Sequence, residues 1–564
     1  MSSFLIYYSK SEQAGDIKKL PGHSYIKVNN FSVFYKNNHQ TLALNFDSDP
    51  KFIISGVGIF NSHQGGLISK DEWKNILCDK NFQSKINGHY AGCIIDDKII
   101  SCFNDILGLR EVYYLITKDG FIISSRIDLF KYLIDDLEPS LNYIAGHWLT
   151  SMPLYYETPI RNVKRLTPGS MFSIDADLNT ELIRITPNFV QGSEQEIINT
   201  LRHFTQLDYP YKTTSLGLSG GLDSRTLLAI LSNSSGSKNF YAHTFGNEKL
   251  SDVKISKSIA LSQKFAHSIY NKYSVDLVST LKLIQDYIPF TGLTVPISDL
   301  IHISYHKTIS DSNKVIIDGG FGEIGRRQYL NKFILGGRKI INQKNTAGLL
   351  NNISLNKGSI FNSEYKSILN RSLTDSSEEV WEKMTDVPID NIFIWLDLLS
   401  IRYRLPNVYS HGQHCLDQIS IAYMPFAQKE FLEQLLLFPS QYKINGKLYK
   451  KIIKNNNPDL RNYPLVKDYI EYPYSFGTIS SHVYRKLKRK FNKEITTDPI
   501  KYELYNGLKE YISDEIYSKS FLENEIYDHE KIKNIFEEYY SGNKEKLSEL
   551  DWWLTFNEWY KLTL

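Results

Sequence analysis

Cysteine is scarce in this chain: four residues among 564, Cys78, Cys93, Cys102 and Cys415, none in a Cys-x-x-Cys pair. That argues against a disulfide framework or a zinc site and favours a reducing compartment, with the cytoplasm as the expected location. An excess of charge of one sign is also lacking. Sixty-five Lys and Arg face 62 Asp and Glu, a net +3, so bulk electrostatics ask for neither nucleic acid nor an anionic membrane as partner. No stretch approaches the roughly 18 uncharged apolar residues that span a bilayer. The start, MSSFLIYYSK, has no basic segment before its short apolar run and reads as a first strand rather than a signal peptide. Internal repeats and long low-complexity linkers are missing too.

What is present is enough apolar sequence for more than one core: 42% of the residues are hydrophobic and 23% charged, which in so long a chain predicts two or more domains. Up to about residue 185 the segments are short, β-branched or aromatic and punctuated by Gly, Asn and Asp: FIISGVGIF (52–60), YAGCIIDDKIISCF (90–103) and VYYLITKDGFIISS (112–125). This predicts hairpins in an antiparallel or mixed sheet. From about 195 apolar strands alternate with helical patterns: SLGLS, SRTLLAILSN, NFYAHTFG, SDVKISKSIALSQKFA and, later, KVIIDGG. That rhythm predicts a parallel sheet flanked by helices. After about 395 the pattern is helical, with no further strand expected. The linker is placed at 186–196, giving domains 1–190 and 191–564.

SLGLSGGLDSRTLLAIL (215–231) carries the chemistry. A buried strand runs into a glycine turn and then a helix, so Ser219, Gly220 and Gly221 present backbone N–H groups beside a helix N-terminus, where anions are favoured. Glycine allows close approach of phosphate, and the hydroxyls of Ser219 and Ser224 add donors. Asp223 is the odd member. A carboxylate among phosphate donors is repulsive unless a cation lies between, which implies Mg²⁺ held by Asp223 and phosphate oxygens. The lysine of GxxxxGK[ST] is missing, so this is not a Walker loop. The plainer alternative is a glycine-rich turn whose aspartate caps a helix.

Ser219-Gly220-Gly221-Leu222-Asp223-Ser224 resembles the SGGxDS pyrophosphate loop of the ATP pyrophosphatase superfamily, and of asparagine synthetase and its relatives in particular. NDILGLREVYY (104–114) with GFIISSRIDLF (120–130), TPIRNVKRLTPGSMFSI (158–174), KVIIDGGFGEIGRRQYLNKF (314–333), YMPFAQKEFLEQLLLFPSQYKINGKLYKKII (423–453) and LDWWLTFNEWYKL (550–562) are similar to further segments of that family. The resemblance implies an α/β two-domain protein: an amino-terminal αββα sandwich of the Ntn-hydrolase type, then a parallel-sheet domain of the adenine-nucleotide α-hydrolase type. It implies ATP and Mg²⁺, with Leu218 and Thr244 at adenine-holding positions and Asp318 and Gly319 contacting nucleotide. Glu323 stands where the family has its second Mg²⁺ ligand, an aspartate. Lys447 and Lys467 match lysines that stabilise the departing pyrophosphate. For each of these the plainer alternative is a surface loop or a solvated charge.

Departures from the family narrow the expectation. Glutamine-using members begin Met-Cys-Gly, whereas this chain begins Met1-Ser2-Ser3. A Ser2 hydroxyl is a far weaker amino-terminal nucleophile than a thiol, so the first domain is expected to be a scaffold without glutaminase activity, as in β-lactam synthetases and lasso-peptide macrolactam cyclases. Gly320 replaces a Glu or Tyr of the relatives and is expected to open space for a bulky acyl group. Glu323, Tyr329 and His411 are the candidate general bases. The expected reaction is adenylation of a carboxylate followed by attack of an amine. The leading substrate is a peptide closing a macrolactam, with a leader-processing protein as possible partner; a secondary metabolite or glycan is the other option. An asparagine synthetase fed by ammonia or glutamine, and a non-catalytic ATP-binding assembly protein, remain alternatives. The basic run YRKLKRKF (484–491) reads as a solvated helical face, or as a dock for an acidic partner.

Overall fold

The computed structural model describes residues 2–10, 20–37, 41–63, 65–209, 212–233, 240–272, 276–331, 333, 336–385, 391–491 and 498–564; Met1 lies outside them. Twelve strands fill the first third: β1 (Ser3–Ser9), β2 (Ser24–Val28), β3 (Phe31–Lys36), β4 (Leu42–Asn45), β5 (Phe52–Phe60), β6 (Ile86–Ile95), β7 (Ile99–Asn104), β8 (Tyr113–Ile116), β9 (Gly120–Ser124), β10 (Lys164–Arg165), β11 (Ser170–Asp175) and β12 (Thr180–Arg184). They form two antiparallel six-stranded sheets ordered β10-β8-β9-β1-β3-β2 and β12-β11-β7-β6-β5-β4.

The period-2 alternation of the strands sets the layers. In β1, Phe4 and Ile6 point into the core between the sheets, while Leu5 points outward. In β5, Ile53 joins the same inner core, and Phe52 and Ile54 turn to the other outer face. That face is covered by Trp73 of the helix Lys70–Ile76, and the opposite one by the short 3₁₀ stretch Ile127–Tyr132. The expected sandwich of antiparallel sheets is therefore present, with small helical layers.

The remainder is built on a parallel sheet of β13 (Thr213–Gly217), β14 (Phe240–Phe245), β15 (Ala266–Tyr270), β16 (Lys314–Ile317) and β17 (Ala422–Tyr423), in the order β15-β14-β13-β16-β17. Helices Leu222–Ser232 and Ser251–Gln263 make the first two crossovers. The chain steps outward from β13 in one direction and resumes on its other side at β16, so the strand order reverses between β13 and β16. Open α/β sheets bind ligands at the carboxyl ends of strands at such a point.

Three strands contradict the expectation that none follows residue 395: β17 and the antiparallel pair β18 (Leu465–Lys467) and β19 (Ile470–Tyr472). All are two or three residues long, too short to show alternation. β15 was also unexpected, because the helical pattern through KFA is broken by Lys264, which caps the preceding helix in the left-handed conformation. Asp468 and Tyr469 turn the β18–β19 hairpin, both with positive φ (52° and 63°), the geometry that a two-residue turn demands.

The two parts are joined by buried polar contacts. Asp417 accepts from His89 Nε2 at 2.8 Å and lies 3.4 Å from Arg110 Nη1, with all three side chains at most 1% exposed. Arg165 donates to Asn407 Oδ1 (2.9 Å) and Pro406 O (2.7 Å) and pairs with Glu111 at 3.1 Å. His411 belongs to this seam, 3.5 Å from Glu111. Removing one member of a buried pair strands the other. Asp417→Ala is expected to cost about 3–5 kcal/mol, read as a lower urea midpoint; an unchanged midpoint would show that the seam does not hold the parts together.

Candidate functional site

β13 ends at Gly217, and the turn after it delivers the chain to the helix Leu222–Ser232. Gly221 is its N-cap, and no side chain caps it. Uncapped first-turn N–H groups carry the positive end of the helix dipole. The preceding turn is closed by its own oxygens: Ser219 N–H donates to Ser224 Oγ (3.1 Å) and Gly221 N–H to Ser219 Oγ (3.1 Å). Gly220 N–H donates to Asp252 Oδ1 at 2.9 Å. A carboxylate of the chain thus already sits on one donor of the anion cradle.

The cradle's position is fixed from behind by Arg225, which is fully buried. Its guanidinium donates to the carbonyls of Gly220 (3.1 Å), Leu460 (3.3 Å), Tyr463 (2.8 Å) and Pro464 (2.7 Å). Burial lowers its pKa to about 10, so carbonyl dipoles hold a costly charge. Val466 N–H of β18 donates to Gly220 O at 2.9 Å. A Cβ on Gly220 would lie 2.3 Å from Val466 Cγ2, which is why only glycine fits. The next residue of β18 is Lys467.

Asp223, in the first helical turn, pairs through Oδ2 with Arg326 at 2.5 Å. Its Oδ1 is buried with no hydrogen-bond partner. Burial, with Glu323 nearby, raises its pKa to about 6 despite Arg326. Gly319 and Gly322 lie directly over Asp223: Cβ atoms there would fall 3.1 Å from its Cβ and 2.6 Å from its Cγ. The strand-to-loop passage after β16 therefore wraps the aspartate, as the switch point places it.

Glu323 Oε1 accepts from Arg404 and from Tyr409 Oη (2.7 Å). Arg404 in turn stacks on Tyr329, 4.2 Å from its ring centre. Lys467 stays solvent-exposed. Partial desolvation first, then the charges of Arg326 and Arg485, lower its pKa. Asp223, Glu323, Arg326 and Lys467 thus interact electrostatically in one place.

The other expected residues fall nearby. Leu218 N–H donates to His243 O (2.8 Å), and Thr244 Oγ1 donates to Leu218 O (2.6 Å). Leu218, Ser219, Thr244 and Asp318 line a cavity of about 460 Å³, within the range of small-molecule sites. Lys501, paired with Asp299 at 2.7 Å, is on its wall. Lys447 opens the helix Lys447–Asn456 and is exposed; no hydrogen bond or ion pair joins it to Asp223 among the described residues.

Two readings need correction. Gly320 opens no space: a Cβ there would lie 2.5 Å from Met424 Sδ and 2.7 Å from Asp318 Oδ1, because the end of β17 fills that side. His411 sits in the seam between the parts rather than at this site, leaving Glu323 and Tyr329. Arg225, Asp252, Arg326, Arg404 and Tyr409 were not singled out from sequence. The Arg326-Arg327 pair in GEIGRRQY was a visible signal, but its two members diverge: Arg327 lies 3.3 Å from Asp397.

For metal, the unpaired Asp223 Oδ1 fits a ligand oxygen, whereas Glu323 is held by Arg404 and Tyr409. No group of three or more His, Cys, Asp or Glu that could hold an ion occurs among the described residues. Mg²⁺ bound chiefly by phosphate and one or two carboxylates needs none.

No protein-family model and no curated protein sequence matches the chain. Among solved structures it is similar to the allosteric regulatory enzyme of purine biosynthesis, with 11% identity over 49% of this chain and 75% of that one, TM-score 0.21. It is similar to glutamine phosphoribosylpyrophosphate amidotransferase from B. subtilis complexed with ADP and GMP, with 10% identity over 56% and 75%, TM-score 0.20. A third is glutamine-dependent NAD⁺ synthetase from Acinetobacter baumannii in complex with ADP, with 19% identity over 29% and 31%, TM-score 0.18. Likeness at this level assigns no activity.

Arg225→Ala leaves the carbonyls of Leu460, Tyr463 and Pro464 without this donor and leaves Val466 N–H to Gly220 O as the backbone bond between β18 and the cradle. The expected loss is about 3 kcal/mol, measured by urea unfolding, with Arg225→Lys recovering only part. Full stability in Arg225→Ala would contradict the clamp.

Proposed function

We propose that the chain is an ATP-dependent ligase that adenylates a carboxylate, releases pyrophosphate and joins the acyl group to an amine. The observation that carries this reading is Asp223: a carboxylate with one free buried oxygen, set in an uncapped helix turn, paired with Arg326 and within the electrostatic influence of Lys467, beside a nucleotide-sized cavity. We assign ATP to that cavity, with Leu218 and Thr244 toward the base, Asp318 and Gly319 across it, and the Ser219–Ser224 cradle on the phosphates. Incoming phosphate displaces Asp252 from Gly220. Asp223 Oδ1 would hold Mg²⁺, which would neutralise phosphate charge.

In the first step a substrate carboxylate oxygen attacks the α-phosphorus, and the bond to the β-phosphate oxygen breaks. Charge grows on the leaving pyrophosphate, and Arg326 and Lys467 are preorganised to stabilise it. In the second step the amine attacks the acyl carbon and AMP leaves with the bonding pair. The ammonium proton passes to a base, for which we assign Glu323, hydrogen-bonded to Tyr409 and within the electrostatic influence of Asp223. Lys447 keeps only its exposed position at the edge of this scheme.

The amine is supplied by the substrate rather than by glutamine. Ser2 is fully buried, and its Oγ is engaged by Thr41 O (2.8 Å) and Ser55 Oγ (2.9 Å). This supports residues 1–190 as a scaffold and 191–564 as the synthetase, with ring closure within a peptide as the preferred chemistry. Holding both groups on one molecule makes attack nearly unimolecular. Gly320, closed in by Met424 and Asp318, leaves no added room for a bulky acyl group.

Carboxylate-dependent exchange between ATP and labelled pyrophosphate tests the reading. Exchange is expected in the wild type and in Ser2→Ala and lost in Asp223→Ala. Exchange that survives Asp223→Ala would overturn the site; none with any peptide or amino-acid carboxylate would favour a non-catalytic protein; exchange with aspartate and asparagine formation from ammonia would favour the synthetase alternative. A pH dependence follows from Asp223. Below about pH 6 it is protonated and cannot bind a cation, so metal-dependent ATP affinity is expected to fall as pH drops from 7 to 5, by up to about tenfold per unit below the pKa. Calorimetric titration should show this fall in the wild type and a flat profile in Asp223→Asn.

A further inference from the structure

The helix Thr478–Phe491, TISSHVYRKLKRKF, has its apolar face turned the wrong way for a helix that packs on its own protein. Ser481 and Arg485 are its inward residues, 6% and 8% exposed. Arg485 and Arg489 fasten it to Asp468 at 2.5 and 3.5 Å. Ile479, Val483, Leu487 and Phe491 form one row at i, i+4, i+8 and i+12, and they are 80, 50, 52 and 76% exposed. At 100° per residue this row is centred nearly opposite the inward face. Single exposed apolar side chains are ordinary, but a contiguous row marks an interaction surface.

We propose that this helix is an interfacial element that docks the protein on an anionic lipid surface. Charge argues for that occupant. Between 478 and 491 the chain carries Arg485, Lys486, Lys488, Arg489 and Lys490 and no Asp or Glu. Around the helix, Lys486 and Lys490 lie along one side of the row and Tyr484, 37% exposed, borders the other. Cations along an apolar row reach anionic headgroups while the row enters the acyl boundary, and a flanking tyrosine suits the interface. Exposure argues the same way: each residue of the row is at least half exposed, and a lipid surface accepts such a row without a matching groove. No helix among the described residues is long and apolar enough to cross a membrane, so the mode is peripheral. The net charge of +3 averages over this local concentration, so the expectation of no membrane partner from bulk charge does not hold for this helix. The inference is independent of the ligase reading, although Asp468, the helix's anchor, neighbours Lys467.

Sedimentation of the full chain with phosphatidylcholine vesicles, with and without phosphatidylglycerol, tests it. Binding is expected only with the anionic lipid, weakened by salt, and reduced about tenfold in Phe491→Ser and more in Leu487→Ser/Phe491→Ser. Circular dichroism should show the fold unchanged, and pyrophosphate exchange without vesicles should match the wild type. Equal sedimentation with neutral and anionic vesicles, no sedimentation, or no effect of the substitutions would overturn the proposal. So would a dimer, seen by light scattering, that the same substitutions dissolve, since a second copy would then be the occupant.

Discussion

The guanidinium of Arg225 is the contact on which the site depends. Buried among carbonyls with no carboxylate in its hydrogen bonds, it draws Leu460, Tyr463 and Pro464 onto the turn that follows β13. Through that clamp β18 lies against Gly220, and the charge of Lys467 acts on Asp223. A phosphate cradle made only of Ser219–Ser224 would hold an anion; with Lys467 and Arg326 beside it, the cradle can also stabilise charge as it develops. The desolvation that lowers the pKa of Arg225 is the counterpart of that rigidity.

Opposite charges are arranged around Asp223 in a way that suits an anionic ligand. Arg326 holds one oxygen of Asp223, Arg404 and Tyr409 hold Glu323, and Asp252 rests on Gly220 N–H. Each contact gives a charged group a partner in the ligand-free chain. Gly319 and Gly322 make this compactness possible, since a side chain at either would collide with the helix that bears Asp223.

Much of this was legible in sequence, and the parts that were not have physical reasons. The strand, glycine turn and helix at 215–231 are local, so their pattern predicts their shape. Alternation in β1, β5 and the hairpins similarly predicts an antiparallel sandwich. The pairing of β13 with β16 is non-local, and Asp318 and Gly319 were reached through family resemblance rather than pattern. Arg404 escaped because it lies in a wide-turn helix, Ser400–Tyr409, interrupted by Pro406. Gly320 misled because the atoms beside it belong to Met424, far along the chain. The row on Thr478–Phe491 was read as a solvated basic face because its charges were counted without the phase of its apolar residues.

The first part of the chain bears on the chemistry through what it encloses. Ser2 is buried where the sandwich meets the second part, with Gln418 donating to its carbonyl, and His89, Arg110 and Asp417 continue that seam; under the proposed function this leaves the reaction to the site at the switch point. A crystal structure with a non-hydrolysable ATP analogue and Mn²⁺ tests that assignment most directly. The account predicts phosphate oxygens on the N–H groups of the Ser219–Ser224 turn, Asp252 displaced from Gly220, and an anomalous Mn²⁺ peak against Asp223 Oδ1. A nucleotide bound elsewhere, or a metal with no contact to Asp223, would contradict it.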